Sequence, residues 1–152
     1  MDKIASFTVD HDLLEPGLYV SRRDGDVTTY DLRTRRPNAG SYMDNRTMHS
    51  VEHMFATFIR NSEIRDSVVY FGPMGCQTGF YLLTRNVQDE RVLAVTKAVL
   101  RQILSYEGPV FGAERKECGN YRNLDLGDAK REAEAYLAVL ESRVNDFRYR
   151  EA

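Results

Sequence analysis

Tryptophan is absent from this sequence, cysteine occurs only twice and histidine only three times. Two cysteines, Cys76 and Cys118, exclude a small domain stapled by a disulfide framework. In a reducing compartment each thiol is instead free to act as a ligand or a nucleophile. No run approaches the ~18 apolar residues that a membrane span needs. The opening MDKIASFTVDHD holds no apolar core of signal-peptide length. The expectation is a cytoplasmic protein that does not engage membrane. Charge of one sign is lacking too, since the net charge is only -2 with both signs interspersed. That excludes the basic footprint of a nucleic-acid binder and the acidic tail of a solvating arm. Internal repeats, low-complexity tracts and Gly/Ser linkers are missing. The 152 residues, 42% of them hydrophobic, therefore read as one compact domain over residues 1–152.

What is present divides cleanly along the chain. Residues 1–16 show no periodicity and read as an N-terminal arm, a segment suited to packing on a partner or covering a site. GLYVSRRDGDVTTYDLRT holds two β-rich runs around a turn signal at Asp24-Gly25. RRPNAGSYMDN is a loop. From about Thr47 to Asn61 the spacing predicts a helix with Val51, Phe55, Phe58 and Ile59 on its apolar face and Asn45 or Thr47 as its cap. SVVYFG reads as a buried strand, PMGCQTG as a tight connection and FYLLT as another strand. Residues 89–106 predict a second helix, with Val92, Val95, Val99 and Ile103 inward. Gly127 to Phe147 predicts a third, with Ala133, Tyr136, Leu140, Val144 and Phe147 on one face. Strands that come early and in adjacent pairs, with helices between and after, argue for α+β with a mainly antiparallel sheet.

The chemistry concentrates in HSVEH, residues 49 to 53. Residues four apart on a helix sit one turn above each other, so His49 and His53 can hold one metal between them. Glu52 projects beside that site and can reach a water or a substrate proton without being a ligand. This is the H-x-x-E-H spelling, in which glutamate serves as the base. Two of only three histidines standing together between apolar neighbours argue against a solvated helix face. A third ligand is required, and Cys118 or a downstream carboxylate could supply it. Three protein ligands leave a catalytic metal open to water or substrate. Polar neighbours around Cys118, in KECGN, argue against a merely buried thiol.

Cys76 lies in GPMGCQTGF, where the glycines allow sharp turning and close backbone approach. Its surroundings fit equally a buried core thiol and a reactive thiolate. Beside HSVEH the second role gains weight. A metal, a glutamate and a cysteine base suit proton shuffling next to a carbonyl, as in isomerisation and elimination on a sugar.

The sequence as a whole resembles the LuxS family, the S-ribosylhomocysteine lyases. SFTVDH, DLR, RPN, HSVEHMFATFIRN, GPMGCQTGFY and CGN carry the resemblance, in order and over nearly the full length. It implies an α+β homodimer with two active sites shared at the subunit interface. It implies cleavage of S-ribosylhomocysteine to homocysteine and 4,5-dihydroxy-2,3-pentanedione, the autoinducer-2 precursor of quorum sensing. One divalent metal per subunit is implied, Fe(II) with Zn(II) or Co(II) as substitutes. His49, His53 and Cys118 match the metal ligands, and Glu52 and Cys76 match the acid/base pair. Ser6, His11 and Arg33 match polar residues of the substrate site, with the arm residues offered across the dimer. Two departures stand out. RTRRPN replaces the common RFCxPN, bringing Arg35 and Arg36. YFGPMGC replaces DISPMGC, so Tyr70 stands where many members have an aspartate near the substrate. The rival readings are a metallopeptidase using Glu132 or Glu134 as third ligand, and a closed, non-enzymatic metal module.

Overall fold

The computed structural model describes residues 1–151. These residues form a four-stranded antiparallel sheet with three α-helices. Strand β1 (Gly17–Asp24) pairs with β2 (Val27–Arg33), and the expected turn falls at Gly25 and Asp26. Helix α1 (Asn45–Ile59) follows, then β3 (Val68–Pro73) and β4 (Gly79–Arg85), α2 (Asp89–Ser105) and α3 (Leu126–Glu141). The sheet order is β1-β2-β4-β3. The α+β expectation therefore holds, with H-x-x-E-H on α1.

Period-two alternation explains the layering. Leu18, Tyr30, Leu32, Phe80 and Leu82 join one buried cluster. The helices cover it with Val51, Met54, Phe55 and Ile59 from α1, Val92, Val95, Val99 and Ile103 from α2, and Ala133, Tyr136 and Leu140 from α3. Phe71 stacks between Phe55 and Phe80, with centroids 4.3 and 5.2 Å away. Truncating a ring at such a site costs roughly 3–5 kcal/mol. The intervening residues of β2, Asp31 and Arg33, alternate with Tyr30 and Leu32 and so point to the other face of the sheet.

Three local expectations need correction. The cap of α1 is Asp44, whose carboxylate accepts the Thr47 N–H at 2.7 Å, rather than Asn45 or Thr47. Phe58 keeps its place on the apolar face, half-buried against the core beside Tyr106 and Phe111. β3 is an edge strand with a bulge, so Val69 and Tyr70 are exposed instead of buried. α3 ends at Glu141, not Phe147. Val144 is 93% exposed, and Phe147 reaches the core from outside the helix. Asn145 donates to the Leu140 carbonyl at 3.2 Å, satisfying one of the acceptors that a helix end leaves open. The arm contains one short 3₁₀ turn, Ala5–Phe7, lying against β1. No described helix is long and apolar enough to cross a membrane.

Candidate metal centre

α1 carries His49, Glu52 and His53 to its half-buried flank while Val51, Met54 and Phe55 go inward. The segment that follows α2 is wrapped onto that flank by α1 itself. Asn123 O lies 2.9 Å from His49 Nδ1, and Phe111 O lies 2.7 Å from His53 Nδ1. Ser50, fully buried, accepts the Asp125 N–H at 2.8 Å, and Asn123 donates to Asn45 Oδ1 at 2.6 Å. Ser50 thereby fastens the loop that delivers Cys118.

The ligand atoms of His49, His53 and Cys118 all lie within 4.8 Å of one another. Cys118 Sγ is 3.3 Å from His49 Nε2. Zinc–nitrogen and zinc–sulfur bonds of roughly 2.0 and 2.3 Å place tetrahedral ligands about 3.5 Å apart, so this spacing fits a bound ion. Carbonyls only accept, so each histidine must carry its proton on Nδ1 and turn the Nε2 lone pair to the cluster. The Asn120 N–H points at Cys118 Sγ from 3.4 Å, as suits a thiolate ligand. Gly112 completes the fit. With φ +70°, it lies so close that a Cβ would meet His53 Nδ1 at 3.0 Å. Glu52 stands on the same flank, half-buried and unpaired by hydrogen bonds among the described residues. A donor set of three with a free carboxylate beside it has the form of a catalytic metal site.

The peptidase's third ligand is not available. Both oxygens of buried Glu132 are taken by Arg35, at 2.6 and 3.2 Å, and Glu134 is exposed. Arg35, one of the two departures, is thus a clamp from the loop to α3.

Cys76 is not in this cluster. It is exposed on the β3–β4 turn, and Arg33 Nη1 lies 3.7 Å from its sulfur. Thr78 Oγ1 lies 3.1 Å away. Arg33 is buried and ion-paired with buried Asp31 at 2.7 Å. Burial opposes the Arg33 charge, but Asp31 outweighs it, and the guanidinium is held above its usual value. Ser6 comes to a cavity of about 160 Å³ beside Tyr81, the residue across from Asp31 in β4. Burial, then the Asp31 charge, raises the Tyr81 phenol. Among the described residues the His11 side chain has one hydrogen bond, a local one from Nδ1 to Val9 O at 2.9 Å. Among the described residues no hydrogen bond joins Cys76, Ser6, His11 or Arg33 to the metal cluster. Asp31 and Thr78 did not stand out in the sequence. The period-two pairing of Asp31 with Arg33 was the available signal.

Tyr70 folds over Gly72, where a Cβ would lie 2.1 Å from its hydroxyl oxygen. The tyrosine and the glycine of YFGPMGC are therefore one linked change.

Two helix-borne histidines and a loop cysteine, with a glutamate beside them on this α+β scaffold, have the form of a metal-dependent enzyme site. The chain belongs to the S-ribosylhomocysteinase (LuxS) family, whose sequence profile matches residues 4–146. It is 42% identical over 146 residues to the S-ribosylhomocysteine lyase of Borrelia garinii subsp. bavariensis, covering 92% of this chain and 93% of that one. It is 44% identical over 143 residues to the enzymes of that name from Clostridium beijerinckii and Desulfotalea psychrophila, covering 90% of each chain.

Proposed function

We infer that the protein is an S-ribosylhomocysteine lyase, forming homocysteine and 4,5-dihydroxy-2,3-pentanedione. The carrying observation is the His49–His53–Cys118 set with Glu52 one residue from a ligand. These three residues would hold one divalent ion, Fe(II) or its substitutes Zn(II) and Co(II). A bound ion supplies Lewis acidity toward a carbonyl oxygen.

Cys76 and Glu52 share the proton transfers. A proton moves from C2 to C1 of the open-chain sugar, then one from C3 to C2, which carries the carbonyl to C3. Loss of the C4 proton then expels homocysteine from C5 by β-elimination, and the enol left behind takes a proton at C5. Arg33 and Thr78 place a cation and a hydroxyl beside the Cys76 sulfur. Ser6 and His11 belong to the substrate site, brought there by the arm.

The active unit is a homodimer in which the metal set of one chain faces Cys76 of the other. Two observations support this. Among the described residues the two groups share no hydrogen bond within one chain, and the arm exposes Ile4 and Phe7 at 58% and 68%. Apolar side chains held out on an arm suit burial against a second copy. The reaction is placed in the cytoplasm, where S-ribosylhomocysteine and a reduced Cys76 would coexist.

The test is anaerobic release of free thiol from S-ribosylhomocysteine with metal measured on the same sample. Thiol release at about one metal per chain, reduced ~10²–10⁴-fold by Glu52→Gln with metal retained, is the expected result. Full metal without thiol release would transfer this site to another sugar carbonyl.

A further inference from the structure

The segment after α3 turns back across β1. Phe147 takes φ 63°, and its carbonyl accepts the Val20 N–H at 2.8 Å. Two residues later the Tyr149 ring stacks on Tyr19, with centroids 5.0 Å apart. The Tyr149 hydroxyl then donates to Asp31 Oδ2 at 2.8 Å. Arg33 Nη2 donates to the same oxygen at 2.7 Å. Arg33 Nη1 reaches Thr78 Oγ1 at 2.8 Å and faces the Cys76 sulfur. A continuous line of contacts runs from the tail to the thiol.

We propose that Tyr149 is a positioning residue for Cys76, its hydroxyl holding Asp31, and through it the Arg33 guanidinium, in the orientation that serves the sulfur. This rests on the acid/base role assigned to Cys76 above. Tyr149 lies beyond residue 146, where the family match ends.

Three features carry the inference. Asp31 is 1% exposed and Arg33 3%, so neither can turn to solvent for replacement partners. Asp31 Oδ1 and Arg33 Nε have no partner among the described residues. Tyr149 therefore supplies one of the two hydrogen bonds that Asp31 accepts, and the guanidinium is aimed by its two Nη atoms alone. A buried charge that loses a partner pays heavily, so the pair must reorient when the phenol is lost. Finally, the tail is anchored independently of this bond. Arg143 donates to Pro16 O at 2.5 Å, and Arg150 pairs with Glu15 at 3.6 Å. Burial, then the Asp31 charge, pushes the Tyr149 phenol far above its usual value, so it remains a donor at every working pH.

Tyr149→Phe removes the hydroxyl and keeps the ring. In metal-loaded, full-length protein, the alkylation rate of Cys76 by iodoacetamide is read by peptide mass spectrometry, which separates it from Cys118. kcat and KM for S-ribosylhomocysteine are measured beside it. The alkylation rate and kcat are expected to fall together about fivefold to tenfold, with KM and metal content unchanged. Arg150→Ala, which loosens the tail and spares the hydroxyl, should leave the alkylation rate at the wild-type value. A lower melting temperature with unchanged alkylation and kcat in Tyr149→Phe would reduce Tyr149 to a tail staple and overturn the proposal. An equal loss in Arg150→Ala would overturn it too. The underlying reading fails separately: a Cys76→Ala protein that still turns over removes Cys76 from the chemistry, whatever the alkylation rates.

Discussion

The metal half and the sulfur half of this molecule are built in opposite ways. His49, Glu52 and His53 come from one helix, and one loop, fastened by Ser50 and by carbonyls on the two histidines, adds Cys118. Cys76, Thr78, Arg33, Asp31 and Tyr149 come from one strand, a turn and the tail. The metal half needs short-range spacing and loop anchoring. The sulfur half needs a network of buried charge, in which the local pairs Asp31–Arg33 and Cys76–Thr78 are joined to each other and to Tyr149 by contacts between residues far apart in sequence. Local construction tolerates changes elsewhere in the chain. Distributed construction couples the thiol to the C-terminal segment.

The largest effect that would break this contrast is at Cys118. Cys118→Ala should reduce metal from about one equivalent to near none and abolish thiol release, because two histidines alone do not complete the site. Metal retained in full would return the third ligand to a carboxylate. Cys76 alkylation in the same protein should proceed as in wild type, since the sulfur half is assembled without the metal.

Gly112→Ala is expected to come next. The backbone there is left-handed, and an added Cβ would press on the His53 ring. A cost of about 1–3 kcal/mol in stability and a drop of roughly tenfold in metal affinity should follow. Calorimetry and metal competition would read these. Wild-type affinity would mean that the ring orientation is set by Phe111 O alone.

The smallest effect is at the α1 cap. Hydrogen bonds from the Thr47 side chain, then its backbone N–H, hold the Asp44 carboxyl below the usual carboxylate value. With the folded value depressed, the cap's stabilisation is present above the unfolded value and is lost as pH falls through the folded one. Asp44→Ala should lower stability at neutral pH by about 1 kcal/mol and flatten the acid limb of a melting-temperature profile, while Asp44→Asn should keep most of the neutral-pH stability. An unflattened limb in Asp44→Ala would assign acid sensitivity to other carboxylates.

The same contrast explains what could be read from residues alone. α1 and the clustering of His49 with His53 were legible because helical spacing is short-range and H-x-x-E-H is specific. α2 was legible for the same reason. The end of α3 was not, because Val144 and Phe147 keep helical spacing while Ser142, Asn145 and Asp146 favour turning. Phe147 is apolar for the sake of a return across β1 that periodicity cannot see. Strand β3 looked buried because Val68 to Phe71 is apolar, whereas exposure of Val69 and Tyr70 follows from its edge position. Ser6, His11 and Arg33 were assigned to a substrate site by family resemblance alone. Arg33 is well explained by its contacts with Asp31, Thr78 and Cys76. Among the described residues His11 has one side-chain hydrogen bond, to Val9, and the role proposed for it requires the arm to meet a second chain.

That dependence can be tested by mixing two inactive proteins. Glu52→Gln spoils the metal half of each site and Cys76→Ala spoils the sulfur half. If the halves meet across subunits, a mixed dimer has one site with both defects and one intact site. Equal co-expression then pairs the two variants in about half of the dimers, so activity should return to roughly a quarter of wild type. If both halves belonged to the same chain, every site would carry one defect and the mixture would stay as inactive as its components, contradicting the shared-site account.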